Sequence, residues 1–258
     1  MKVIVLGSGT STGVPMVGCS CRGCLSPDSR DRRTRASLLI RHNDRNILID
    51  TSTDLRTQAL REGLDRIDAV LFTHAHADHI NGIDDLRGFH FLHREVVPCF
   101  GSRTTLDILR RGFSYIFDDL PGSGYSPLLE PAEITGPFDL FGLSVIPIPL
   151  EHGRAAATGF RIGAFAYLTD CSRIPDSSLP LLQDLELLVI DGLRWSPHPF
   201  HFHIEAVIEA TRPLRPARTV LTHLTHDVIH AESGALPTGY EFAYDGMAVE
   251  LPAGEGGR

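Results

Sequence analysis

The run Ala69-Val70-Leu71-Phe72-Thr73-His74-Ala75-His76-Ala77-Asp78-His79 decides how this chain is read. Its first four residues are apolar, as in a short buried strand. The rest is dense in ligand chemistry, with His74, His76, Asp78 and His79 falling inside six residues. Alternate residues of an extended turn face the same way, so His74 and His76 can grip one ion. Asp78 and His79 then project toward a neighbouring position. Imidazole together with carboxylate suits zinc, manganese or iron.

Working outward, other candidate donors also sit just past apolar strands. His152 follows Val145–Leu150, Asp170 follows Phe165–Leu168, and His223 follows Val220–Thr222. The chain holds 13 histidines in 258 residues, a large share for a group whose commonest special use is metal ligation or proton transfer. Strands are predicted at Val3–Leu6, 36–42, 46–50, 69–72, 96–100, 143–150, 159–168, 187–190 and 219–222. A terminal strand pair is expected over 242–251, around Asp245-Gly246. Helices are predicted over 54–62, with Ser52 or Thr53 as N-cap and Gly63 as terminator, and over 83–92, 104–116 and 204–211. Residues 117–131 read as loop. Strands with helices between them and polar loops at strand ends suit an α+β fold, two mixed sheets packed face to face with helices outside. The site is expected along one edge of that sandwich. We expect one domain over residues 1–252, followed by a disordered Gly-rich tail, 253–258.

Composition excludes several classes. The net charge of −8 argues against general nucleic-acid binding, and no apolar run approaches the ~18 residues of a membrane span. The start of the chain, broken by Gly7 and Gly9, does not read as a signal peptide, so a cytoplasmic protein is expected. Gly7-Ser8-Gly9-Thr10-Ser11-Thr12-Gly13 is neither a dinucleotide fingerprint nor a phosphate loop, because the required helix and Gly-Lys ending are missing. Of five cysteines, three crowd into Cys19-Ser20-Cys21-Arg22-Gly23-Cys24, which favours a metal site over a disulfide framework. Cys99 and Cys171 read as buried small hydrophobes.

The His-x-His-x-Asp-His run, the strand Leu48-Ile49-Asp50 and the opening Leu6-Gly7-Ser8-Gly9-Thr10-Ser11-Thr12-Gly13-Val14-Pro15 resemble the metallo-β-lactamase superfamily. Within it the chain is similar to the PhnP-like branch, named for a phosphoribosyl cyclic phosphate phosphodiesterase of phosphonate degradation. The likeness runs from Val3 to about Leu251. It implies the αββα sandwich and a two-metal hydrolytic site. His74, His76 and His152 would hold one ion, Asp78, His79 and His223 the other, and Asp170 would bridge them. Asp50 would orient the ligands. Cys19, Cys21, Cys24 and His226 would close a structural zinc site.

In Trp195-Ser196-Pro197-His198-Pro199-Phe200-His201-Phe202-His203 the resemblance makes His201 the general acid, with His198 as runner-up and a substrate contact; His203 is expected to be peripheral. Asp78 and His201 would be the catalytic pair, with a hydroxide held between two divalent ions attacking phosphorus. Arg87 and Arg173 are candidates to hold a small anionic phosphoester, and a homodimer is a further expectation. Two alternatives stay open: a hydrolase of a thioester or other small ester or amide, and a relative of the pyrroloquinoline quinone pathway protein.

Overall fold

The computed structural model describes residues 1–118 and 128–252. The expected tail, 253–258, and residues 119–127 of the expected loop lie outside the described residues. Two seven-stranded sheets are built in the same way. The first holds β1 (Lys2–Gly7), β2 (Ser37–His42), β3 (Arg45–Ile49), β4 (Ala69–Leu71), β5 (Val97–Gly101) and β6 (Leu129–Glu133). The second holds β7 (Phe138–Leu140), β8 (Leu143–His152), β9 (Ala155–Ile162), β10 (Phe165–Leu168), β11 (Leu187–Asp191), β12 (Arg218–Thr222) and β13 (Tyr240–Phe242). The last strand, β14 (Ala248–Glu250), returns to the first sheet beside β1. In each sheet three antiparallel pairings give way to three parallel ones: β3-β4-β5-β6 in the first, β10-β11-β12-β13 in the second.

Period-two alternation within continuous apolar runs packs this sandwich. Val3 and Val5 join Leu38, Ile40, Ile47 and Ile49 in a core shared with Val145, Phe160, Phe165, Tyr167 and Val189 of the facing sheet. The alternate side chains of the first sheet, among them Ile4, Leu6, Leu39, Leu48 and Val70, point outward. They pack on α1 (Leu55–Arg61), the α3 helix (Leu86–His93, which follows the one-turn α2 at Ala77–Ile80) and α4 (Arg103–Gly112), next to the short α5 (Ser114–Phe117). The second sheet covers its outer face with Ile204 and Val207 of α6 (Ile204–Thr211) against Leu188, Ile190 and Leu221. Strands buried on both faces read as unbroken apolar stretches, which is why they stand out in the sequence.

The expected αββα sandwich is therefore the fold. Several local expectations change. The predicted 159–168 strand is two strands, turned at Gly163, whose φ of +60° suits glycine. The expected terminal pair does not pair with itself: β13 runs parallel to β12 and β14 antiparallel to β1, so the Asp245-Gly246 turn crosses between sheets. Asp245 pins that crossing by accepting from Ser8 N–H at 2.9 Å and from Thr34 N–H at 2.9 Å. Leu129–Glu133, partly inside the predicted loop, is a strand. The first helix is capped at Asp54 rather than at Ser52 or Thr53; the Asp54 side chain makes no cap bond, and Ser52 Oγ accepts from Asp54 N–H at 3.1 Å. Among the described residues no helix is long and apolar enough to cross a membrane.

Candidate metal centre

The C-terminal ends of the parallel strands meet along one edge of the sandwich, the usual place for ligands beside parallel strands. Asp50 after β3, Asp170 after β10 and His223 after β12 all adopt left-handed backbone, at φ of 63°, 51° and 58°. Such strain in three non-glycine residues marks a site that the surrounding structure over-determines. Asp50 is wholly buried and accepts from Thr73 N–H at 2.8 Å and Thr73 Oγ1–H at 2.7 Å. It also accepts from His79 Nδ1–H at 2.7 Å, which turns His79 Nε2 into the site. His76 opens α2 and Asp78 lies in its first turn, so four candidate ligands from six residues fan out around one short bend.

Asp170 stands at the centre. Its Oδ1 lies 3.1 Å from His79 Nε2 and 3.3 Å from His223 Nε2. Its Oδ2 lies 3.7 Å from His74 Nε2 and 3.8 Å from His152 Nε2. His152 Nε2 is 3.3 Å from His76 Nδ1. Asp78 Oδ2 is 3.4 Å from His79 Nε2 and 3.5 Å from His223 Nε2. Tetrahedral donors about 2.1 Å from a shared cation stand about 3.4 Å apart, so these spacings are those of ligand sets. His74, His76, His152 and Asp170 form one such set, and Asp78, His79, Asp170 and His223 the other.

The electrostatics fit cations. The buried atoms His74 Nε2, Asp78 Oδ2, His79 Nε2 and His223 Nε2 have no hydrogen-bond partner among the described residues, although all face this centre. Buried polar atoms are otherwise almost always satisfied. Burial keeps the His74 imidazole well below its ordinary range and so neutral. Burial opposes ionisation of Asp78 and Asp170, yet the imidazoles around them hold both carboxyls well below the usual carboxylate range. Burial also opposes protonation of His79 and His223, but Asp170 in particular carries His79 well upward and His223 to about 9. The carboxylates thus draw positive charge into the cluster. A divalent cation bound there would supply it and would leave every imidazole a neutral donor.

A second donor set lies nearby. Cys19, Cys21 and Cys24 Sγ stand 3.3, 3.5 and 3.3 Å from His226 Nδ1. Donors around a tetrahedral zinc with thiolate and imidazole ligands stand about 3.6 Å apart. His226 lies three residues past His223. Leu224, between them, bonds Ser8 and Thr10 of the opening loop through backbone. Gly23 allows the cysteine loop to close, since a Cβ there would come within 2.0 Å of the His226 carbonyl oxygen.

A cavity of about 590 Å³ opens onto the first cluster, lined by Ser11, His76, Asp78, His152, Arg154, Ala155, Asp170, Phe200, His201 and His223. His201 stacks on His223, with ring centroids 4.9 Å apart and planes at 14°. His201 Nδ1 lies 2.6 Å from Asp191 Oδ2. His198 is set back, its ring 5.2 Å from His201, with Nδ1 accepting from Phe200 N–H. His203 caps α6. Arg87 bonds Asp84 at 2.8 Å and lies over the Tyr115 ring, and Arg173 bonds Glu151 at 3.2 Å. Neither arginine lines the cavity. Arg154 does, and sequence reading passed it over, as it did Asp191, Phe200 and Ser11. The one available signal was for Asp191, which ends an apolar strand just as Asp50 and Asp170 do.

The beta-lactamase superfamily domain matches residues 45–224. The chain is 43% identical over 253 residues to a protein of Porphyromonas gingivalis named octanoyltransferase, covering 96% of this chain but only 51% of that relative's length. It is 28% identical over 306 residues to coenzyme PQQ synthesis protein B of Xanthomonas axonopodis pv. citri, covering 97% of this chain and all of that one. Among solved structures, a diphosphatase from the PhnP family is 40% identical, with a TM-score of 0.90 and 97% of each chain covered. With its sandwich fold and strand-end histidines, the chain belongs to the β-lactamase superfamily, in its PhnP-like branch.

Proposed function

We propose that this chain is a metal-dependent phosphodiesterase that hydrolyses small phosphate esters, cyclic ones among them. The observation that carries the reading is the double donor set sharing Asp170, with Asp78 completing the second half. Zinc, manganese or iron bound there would acidify a water and neutralise charge on phosphoryl oxygens. The remaining work belongs to the chain. Asp170 spaces the two halves of the site with its two oxygens. Asp50 fixes the tautomer and angle of His79 through Nδ1. The Phe200 carbonyl, 2.8 Å from His152 Nδ1, does the same for His152. Asp191 holds His201 by Nδ1, so Nε2 of a ring lining the cavity is left to protonate the departing oxygen. Such general-acid help is worth roughly 10²–10⁴-fold. The cysteine cluster with His226 would hold a third, structural zinc, since four closed donors leave no open position.

The diphosphatase name of the 40% identical structure favours a second reading, in which the bond cleaved is a diphosphate link. Hydrolysis of bis-p-nitrophenyl phosphate, assayed beside a dialkyl diphosphate with and without added manganese or zinc, separates the two. The proposal expects metal-dependent release of p-nitrophenol that Asp78→Ala abolishes. Metal-dependent cleavage of the diphosphate alone would favour the second reading. Activity confined to a thioester or a β-lactam would overturn both.

A further inference from the structure

We propose that this protein takes phosphate esters bearing an unbranched alkyl or acyl chain, and that the chain lies in a second, apolar cavity beside the metal centre. The inference deepens the phosphodiesterase reading and rests on it for the position of the reacting group. A cavity of about 560 Å³ opens between the β6–β7 link, β8 and the start of β9. Ile134, Pro137, Ile146, Pro149, Leu150 and Leu181 line it, and no charged residue does so among the described residues. The 590 Å³ cavity over the donors has the contrary character, with Asp78, Asp170 and Arg154 in its lining. The two meet along one strand. Ala155 lines the charged cavity, and Ala156, Ala157 and Thr158 line the apolar one. Leu150 likewise stands two residues before His152 on β8. Ala155 and Ala156 are exposed and carry nothing beyond Cβ, so neither raises a wall between the cavities. A charged chamber joined to an uncharged one matches a molecule with a phosphate at one end and a hydrocarbon at the other.

The edge of β8 decides what can occupy the groove. On the side away from β9, β8 pairs with β7 only as far as Val145, and its next cross-link there joins Glu151 to Arg173. Between those points Pro147 and Pro149 have no N–H to donate. The Pro149 carbonyl already accepts from Ser178 Oγ–H at 2.8 Å. An incoming peptide strand would find little to pair with on such an edge. A hydrocarbon chain needs no hydrogen bond and gains by leaving water. The prolines, with φ fixed, also keep the wall preformed, so binding spends little on ordering it. From Ala155 to Thr158 is about 10 Å along a strand, so only a long chain reaches the far end.

The test compares p-nitrophenyl methyl phosphate with p-nitrophenyl octyl phosphate, the latter kept below its micellar concentration. The wild type should favour the octyl ester in kcat/KM by about 30-fold or more, mainly through KM, as four or five buried methylenes at two- to threefold each provide. Ala156→Trp fills the groove and Leu181→Glu places a charge in it. Each, with its metal content intact, should bring the octyl-to-methyl ratio to within a few fold of one. A ratio near one in the wild type, or a high ratio that survives both substitutions, overturns the proposal. Calorimetric titration of the metal-loaded protein with octylphosphonate and with methylphosphonate gives a readout without turnover. Tighter binding of octylphosphonate, lost in Ala156→Trp, supports the groove even if neither ester is cleaved, an outcome that would end the phosphodiesterase reading instead. Equal binding of the two phosphonates by the wild type overturns it. So does sedimentation in which Ala156→Trp dissociates an oligomer, since the groove would then belong to a second copy of the chain.

Discussion

His201 and Asp191 are joined at 2.6 Å, Nδ1 to Oδ2, and Asp191 has no solvent exposure. The same Oδ2 accepts from Cys171 N–H at 3.1 Å, one residue past Asp170. The carboxylate that aims the imidazole is thus built on the strand end beside the one that presents the central donor. A buried carboxylate bonded to Nδ1 fixes the tautomer and the ring orientation of its histidine.

The first prediction follows from that pairing. His201→Ala should slow diesters with alkoxide leaving groups by about 10²–10⁴-fold, yet change p-nitrophenyl esters far less, because p-nitrophenolate leaves without a proton. Asp191→Asn should follow the same leaving-group trend, with a smaller loss. Rates across a leaving-group series check this. Equal losses on every ester would assign His201 to binding.

Asp50 has no solvent exposure. It bonds Thr73 and His79 at 2.7–2.8 Å, so Asp50→Ala should free the His79 ring and weaken metal binding about 10–100-fold. Competition with a chelator of known affinity measures it. Unaltered affinity would mean that backbone alone holds His79 in place.

Much of this was legible in the sequence because it was local. A buried strand running into His74-Ala75-His76-Ala77-Asp78-His79 announces ligands within one bend, and Cys19, Cys21 and Cys24 announce another set. The distant donors His152, Asp170 and His223 were legible only as residues at or past the ends of apolar strands; parallel pairing gathers Asp170 and His223, whereas His152 ends the antiparallel strand β8. Hidden features depended on packing between segments. Asp191 becomes a partner only when the 195–203 loop folds back over β11, and Arg154 lines the mouth beside the point where Gly153 abuts Phe200. Arg87 and Arg173, nearer the motifs along the chain, are spent on Asp84 and Glu151. The sheet change at Asp245-Gly246 likewise left no local trace, since either sheet accepts a short strand after that turn.

The cysteine loop gives a stability prediction. Cys19→Ser should remove one firmly held zinc and lower Tm by at least about 5 °C, taking about 2–4 °C per kcal/mol for a domain of this size. Gly23→Ala should do likewise with every thiol intact, because its Cβ collides with the His226 carbonyl. Zinc content and Tm are the readouts. An unshifted Tm in both variants would show that the loop carries no structural ion.

Arg33 is about 2% exposed and bonds Asp31 at 3.0 Å and the Val228 carbonyl at 2.8 Å. Asp31 also accepts from His230 N–H at 2.7 Å. Removing one member of a buried pair strands the other, so Asp31→Ala should cost about 3–5 kcal/mol by denaturant unfolding. A loss under about 1 kcal/mol would show that water or rearrangement satisfies Arg33.

The central claim is that imidazoles and carboxylates from four segments, the 74–79 bend and the ends of β8, β10 and β12, gather to hold two cations side by side around Asp170. Elemental analysis of protein saturated with zinc or manganese and then freed of excess tests it most directly. The account predicts three ions per chain, falling to one, held by the cysteine set, in Asp170→Ala. One ion or fewer in the wild type, or an unchanged count in the variant, would contradict it.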